Sequence, residues 1–305
     1  MRKILITGAN GFFASRFYEY YKNKYDIIPL TKKQLDVTNE KNTVEIIKEC
    51  NPDIVIHTAA MTATKDCEDN PSISEYVNIT GSKNVAKGCS VIGAKMIFLS
   101  TEQVYNGNKN PGPYYEEDCP NPNTQYGKTK LEAETEIKKI IDNVWILRLT
   151  WLFGFPERFG KINSNIIWNV MIALLKNERV KFPLNEYRGM TYVYDLITAI
   201  NKTFDIPYGT YNTGSENNLS TYDIACIVLK EMGLENRIGD LIIKDKERYR
   251  EHNRDLRMKN TKLKKCGIEF ATTEEALKNL TINCSHLFNL LLLFRVLYVL
   301  IVIIL

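Results

Sequence analysis

ITGANGFFAS, residues 6–15, runs from an apolar, β-branched stretch straight into a segment with helical spacing. Its small residues read Gly8-x-x-Gly11-x-x-Ala14, and each position has a physical reason. Gly8 permits a tight turn at the end of a strand. Gly11 lets the backbone approach a pyrophosphate with no Cβ in the way, and Ala14 lets the following helix lie close to a sheet. The helix N-terminus then offers free N–H groups and the positive end of its dipole to phosphates. In this strand–turn–helix setting the triplet points to a bound nucleotide rather than to a merely structural turn. Asn10 and Phe12 share the loop and helix start, and join Gly8 and Gly11 as candidate cofactor contacts.

Outward from this turn, KILITG (3–8), DIIPL (26–30), DIVIHTAA (53–60), KMIFLS (95–100) and VWILRLT (144–150) are short apolar runs. They read as buried parallel strands. Helix-like stretches separate them at 12–23, 39–50, 72–92 and 125–142. This alternation predicts βαβ units and an α/β fold with a doubly wound parallel sheet. The 305 residues suffice for one large or two smaller domains. With 44% hydrophobic and 25% charged residues, the composition is that of an ordinary globular protein. A net charge of +4 does not suggest a nucleic-acid partner. Seven scattered cysteines, none in a C-x-x-C, argue against zinc and leave no metal site to propose. Their odd number, with no secretory signal in MRKILITGAN, fits a reducing cytoplasm.

The end of the second strand reads Leu30-Thr31-Lys32-Lys33, without the acid that would hold a ribose 2′-hydroxyl. Thr31 and Lys32 are therefore assigned to the cofactor, and lysines there favour NADPH while leaving NADH open. Asp36, next to Val37, can accept from an adenine amino group or simply cap a helix. Ala59 and Ala60, after the third strand, leave room for a cofactor ribose, and His57 reads as a packed strand residue.

FLSTEQVYNG (98–107) ends a strand at the sheet edge where ligands bind. Ser100 and Thr101 are expected to point their hydroxyls into that crevice. In TQYGKTK (124–130), Tyr126 and Lys130 stand four residues apart on one helix face. A phenol titrates near 10 unaided, and a neighbouring ammonium lowers that value. Such a tyrosine can donate a proton to a carbonyl oxygen as hydride reaches its carbon. Thr101 can hold the same oxygen, and Lys130 can also hold a nicotinamide ribose.

Taken together these residues resemble the extended short-chain dehydrogenase/reductase family, and within it the dTDP-4-dehydrorhamnose type of reductase. The likeness spans about residues 1–280. It runs through ITGANGFFAS, LDVTN, NPDIVIHTAA, VNITGSKNVA, LSTEQVYNG, PNPNTQYGKTKLEAE, ILRLTWLFG, TYVYDL and GTYNTGS. It implies a Rossmann-like NAD(P)-binding domain over 1–150. Residues 151–282 would form a smaller α/β substrate-binding region, part of which returns to the first domain. It also implies NAD(P)H-dependent reduction of a 4-keto group on a nucleotide-linked deoxysugar, for cell-surface polysaccharide. Thr101, Tyr126 and Lys130 match the family's catalytic triad. Trp151 sits where the reductases place an aromatic near the sugar, or is a core residue. Arg188 can reach a substrate phosphate, or lie on the surface. Ser100 and Glu102 complete the substrate set.

The chain departs from the pattern at Ser100-Thr101-Glu102-Gln103, where the reductases read Ser-Thr-Asp-Tyr and the related 4,6-dehydratases Thr-Asp-Glu. Glutamine at 103 cannot act as the dehydratases' base, so elimination of water is disfavoured. The regulatory β-subunit of methionine adenosyltransferase resembles the same reductases, and gives a non-catalytic alternative. An epimerase, or a reductase of another nucleotide sugar, is a third reading. Some members form magnesium-bridged dimers; a homodimer is open here, with no acidic cluster that demands the metal.

Two segments stand outside these motifs. Residues 244–265 hold ten basic and four acidic residues, a solvated face or a basic wall toward an anionic substrate. LFNLLLLFRVLYVLIVIIL (287–305) would span about 28 Å as a helix, close to a bilayer core. The tail 283–305 therefore reads as a membrane anchor, a frameshift product or a helix buried against the body. As an anchor it would tether a cytoplasmic enzyme, with Lys262, Lys264, Lys265 and Lys278 on the cytoplasmic side.

Overall fold

The computed structural model describes residues 1–157 and 164–279; the apolar stretch 287–305 lies outside them. Five strands follow the expected order: β1 (Lys3–Thr7), β2 (Asp26–Leu30), β3 (Ile54–His57), β4 (Lys95–Thr101) and β5 (Val144–Leu149). The chain then forms short strands β6 (Trp151–Phe153), β7 (Val180–Pro183), β8 (Glu186–Tyr187) and β9 (Met190–Tyr192). It returns to the main sheet with β10 (Gly209–Thr213), and β11 (Ile242–Asp245) and β12 (Arg254–Asp255) come last. The main sheet has six strands in the order β10-β5-β4-β3-β1-β2. All its pairings are parallel. Strand order reverses between β1 and β3, the switch point where such sheets bind ligands. The fold is thus the doubly wound α/β, Rossmann-like sheet. Three two-stranded ladders, β11–β7, β12–β8 and β6–β9, belong to the second half.

Helices cover both faces of the sheet, which explains the unbroken apolar runs. They are α1 (Phe12–Tyr21), α2 (Glu40–Cys50), α3 (Thr64–Asp69), α4 (Pro71–Glu75), α5 (Gly81–Ile92) and α6 (Gln125–Lys138). In the second half come α7 (Ile166–Lys176), α8 (Val193–Thr203) and α9 (Thr221–Glu231). Alternate strand residues serve opposite faces. Ile4, Ile6, Ile56 and Leu147 meet Phe13 and Phe17 of α1 and Ile197 of α8. Leu5, Val55, Phe98 and Ile146 meet Ile47 of α2, Val85 of α5 and Ile137 of α6. A fully buried side chain of this size contributes about 1.5–3 kcal/mol. A second core joins α7 and α9 around Ile167, Val170, Phe182 and Val228.

Local chemistry sets several boundaries. Asn39 caps α2, accepting from the Asn42 N–H at 3.1 Å. Ser220 and Asp223 form a reciprocal capping box on α9. The third strand stops at His57, sooner than the run DIVIHTAA suggests, because Thr58 turns to donate to the Thr7 carbonyl at 2.6 Å. The helix expected over 72–92 is interrupted by a π turn, Tyr76–Thr80. Among the described residues no helix is long and apolar enough to cross a membrane.

Candidate active site

The glycine turn has the geometry its spacing requires. Gly8 has φ +68°, and a Cβ there would lie 2.9 Å from the backbone of Ala59. Gly8 and the Ala59–Ala60 pair therefore meet at the switch point. Gly11 precedes α1 and its N–H donates to the Gly8 carbonyl at 2.8 Å. No side chain caps α1, so its first N–H groups remain available for phosphate. This cradle fits the pyrophosphate of a dinucleotide. Asn10 is exposed at the turn, whereas the Phe12 ring is buried in the core, with the Arg16 guanidinium 4.1 Å from its centroid. Phe12 can thus serve a cofactor only through its backbone.

At the end of β2, Lys32 is exposed, in place to meet a 2′-phosphate. The Thr31 hydroxyl is engaged by Gln34 at 2.8 Å. Asp36 accepts from both the Thr38 hydroxyl (2.7 Å) and N–H (3.1 Å), and these bonds hold its carboxyl below the usual range. The Val37 side chain lies in the core against the position a Gly81 Cβ would take, so it faces away from any cofactor.

Strand β4 delivers Thr101, and helix α6 delivers Tyr126 to it. The Tyr126 phenol is hydrogen-bonded to the Thr101 side chain and is nearly buried. Gly127 makes this approach sterically possible: a Cβ there would lie 2.5 Å from the Gln103 carbonyl oxygen. Thr124 caps the same turn, accepting from the Gly127 N–H at 3.1 Å. Burial raises the Tyr126 pKa above its ordinary value and keeps the phenol protonated. The expected lowering by a neighbouring ammonium is not what the structure shows. The Lys130 ammonium lies 3.8 Å from the Phe98 ring centroid, and the charges acting on Tyr126 are those of Glu102 and Arg188. Burial brings the Lys130 pKa down to about 7, with Glu134 opposing.

Ser100 requires a correction. Adjacent strand residues point to opposite faces, and with Thr101 at the crevice the Ser100 hydroxyl turns away and donates to Glu134 at 2.5 Å. Glu134 in turn takes the Arg148 guanidinium at 2.7 Å, a buried ion pair tying α6 to β5. Gln103 is held by Thr124 at 3.3 Å and Thr64 at 3.3 Å, beside the tyrosine's helix. His57 is packed as expected, between Thr7 (2.8 Å) and Ser82 (3.0 Å), and burial lowers its pKa to about 3.

The substrate-side residues form one cluster. Glu102, wholly buried, pairs with Arg188, whose guanidinium lies 4.9 Å from the Trp151 ring centroid. Arg188 also faces Glu186 at 4.0 Å, and Glu186 takes Arg254 at 2.7 Å. Arg254 and Glu186 escaped the sequence reading, Arg254 being one of ten bases in 244–265. Of that stretch, Lys259 and Lys264 pair with Glu216, and Arg257 with Asp255, so much of the basic wall is neutralised. Asn78 was also missed: on the π turn, it bonds the Met61 backbone and the Thr129 hydroxyl, bracing α6 one residue before Lys130. Among the described residues no group of His, Cys, Asp and Glu could hold a metal ion.

A glycine cradle at the switch point and a Tyr–Thr pair at the end of β4 define an NAD(P)-dependent oxidoreductase of the extended short-chain type. The chain belongs to the RmlD substrate binding domain family, whose model matches residues 1–285. It is 30% identical to the spore coat polysaccharide biosynthesis protein SpsK of Bacillus subtilis over 78% of this chain and 82% of that protein. It is 28% identical to the methionine adenosyltransferase 2 subunit beta of Bos taurus, over 76% of this chain and 73% of that protein. The crystal structure of dTDP-4-dehydrorhamnose reductase from Bacillus anthracis in complex with NADP superposes with a TM-score of 0.81 at 27% identity. That match covers 93% of this chain and 99% of that one. The cofactor is accordingly NADP(H), with NAD(H) used by other members of the fold.

Proposed function

We propose that the protein reduces the 4-keto group of a nucleotide-linked deoxysugar of the dTDP-4-dehydrorhamnose type. The observation that carries this reading is the Tyr126–Thr101 hydrogen bond at the end of β4, beside the Gly8–Gly11 cradle. NADPH, when bound, supplies the hydride. Gly8, Gly11 and the first turn of α1 hold its pyrophosphate, and Lys32 faces its 2′-phosphate. Asp36 serves the adenine end through whatever acceptor capacity Thr38 leaves. Tyr126, kept protonated by burial, donates its proton to the carbonyl oxygen. Thr101 holds that oxygen in line, and Lys130 turns from Phe98 to the nicotinamide ribose. Arg188, over Trp151, takes the diphosphate end. In this reading residues 1–150 hold the cofactor and 151–282 the sugar nucleotide.

The product would feed polysaccharide synthesis, a role suggested by the name of the B. subtilis relative. The methionine adenosyltransferase relative favours a second reading, a cofactor-binding regulatory subunit. The Thr101–Tyr126–Lys130 set supports catalysis, since binding alone has no need of it. Purified protein tested with NADPH and a panel of dTDP- and UDP-linked 4-keto sugars separates the two. Consumption of NADPH with one of them is the expected result, and cofactor binding without consumption favours the regulatory reading.

A further inference from the structure

The cluster around Arg188 is balanced in charge: two carboxylates, Glu102 and Glu186, face two guanidiniums, Arg188 and Arg254. While both acids are ionised, a diphosphate arriving here meets no net positive charge. Glu102 itself is fully shielded, whereas the Arg188 side chain keeps 11% exposure, so Arg188 stands between Glu102 and the cleft. Two buried atoms of this pair have no hydrogen-bond partner, Glu102 Oε2 and Arg188 Nε. The pair is therefore under-satisfied where it meets, and a buried polar atom left in that state is costly.

The two acids are not equivalent. Glu186 is held by Arg254, by Arg188 and by the Thr221 hydroxyl at 3.0 Å. Burial alone would raise its pKa, but these partners outweigh burial and hold it below the usual range. Glu102 has a hydrogen bond only from Arg188. Resting on the nucleotide-sugar reading above, we propose that Glu102 is a positioning residue that takes up a proton from solvent as substrate binds, releasing Arg188 to the diphosphate. Burial already pushes the Glu102 carboxyl up to about 7 with Arg188 beside it. Withdrawing that guanidinium removes the main charge that opposes protonation. The groups facing Glu102 are Tyr126 from α6, Arg188 and Glu186 at β8, and Arg254 from β12. The arginines stay charged across the neutral range and the buried phenol titrates far above it, so Glu102 is the group able to change.

The test is calorimetry of dTDP-rhamnose binding to protein saturated with NADP⁺, in HEPES and in Tris at pH 8. A diphosphate diester does not itself titrate there. Wild type should take up about 0.9 proton per site, and its affinity should fall by up to about tenfold per pH unit above pH 7. Glu102→Gln should bind at least as well at pH 8, with that uptake and pH slope gone. Lys130, which titrates in the same range, remains in this variant and is thereby separated. Binding by wild type without proton uptake overturns the inference, as does equal uptake by the Gln variant. Should that variant fail to fold, the two-buffer comparison on wild type decides alone. No binding in either buffer overturns the nucleotide-sugar reading and the inference with it.

Discussion

Replacing Gly127 by alanine sets two effects against each other. In a helix interior, alanine is better than glycine by about 1 kcal/mol, and by that measure Gly127→Ala stabilises α6. The new Cβ, however, would stand 2.5 Å from the Gln103 carbonyl oxygen and 2.9 Å from Pro122 Cβ. The atom it meets is backbone, and that carbonyl already accepts the Asn106 N–H at 3.2 Å, so it cannot swing aside. Overpacking of this kind costs about 1–3 kcal/mol, toward the upper end when neither side can yield. The net expectation is a loss of roughly 1–2 kcal/mol, a fall of about 3–6 °C in Tm. The effect on catalysis should be larger. Helix α6 must retreat by roughly 0.5–0.9 Å to restore an ordinary contact, carrying Tyr126 away from Thr101, and a displacement near 1 Å costs about 10²-fold in rate. Thermal unfolding and steady-state NADPH oxidation measure both. A variant with raised Tm and kcat/KM within about threefold of wild type refutes the claim that Gly127 seats the tyrosine.

Three further outcomes follow from the same geometry. Glu134→Gln leaves the Arg148 guanidinium buried without its carboxylate and should cost about 3–5 kcal/mol, most of it recovered in Glu134→Leu/Arg148→Met, read by urea unfolding. Lys32→Ala should raise KM for NADPH several-fold, by about 1 kcal/mol of lost charge pairing, and leave KM for NADH unchanged. Lys130 titrates near 7 folded against about 10.4 unfolded, so between those values the unfolded chain binds more protons. Stability should therefore rise with pH across that window, and Lys130→Met should flatten the rise in pH-dependent unfolding.

What was legible in the sequence is what local rules decide. Gly8 could be read because a positive φ excludes other residues and the strand–turn–helix order gives it a place. The parallel strands could be read because burial on both faces leaves unbroken apolar runs. Thr101, Tyr126 and Lys130 emerged from chain order and helix spacing. Ser100 was misassigned because its fate depends on which face of β4 meets Glu134, 34 residues away. Val37 and Phe12 look like cofactor neighbours in sequence, yet their side chains complete the core. Arg254 and Glu186 meet across 68 residues, through the β12–β8 pairing, and no local pattern announces an ion pair of that span. Gly127 was visible in TQYGKTK but had no meaning until the Gln103 carbonyl was seen against it.

The central claim is that Tyr126 is the proton donor to a sugar carbonyl. The most direct measurement is NADPH oxidation with dTDP-4-dehydrorhamnose by wild type and Tyr126→Phe, beside NADPH binding by both. Wild type should consume NADPH, and the variant should lose about 10²–10⁴-fold in kcat while binding the cofactor equally well. A variant as active as wild type, or a wild type that oxidises no NADPH with this substrate, contradicts the account.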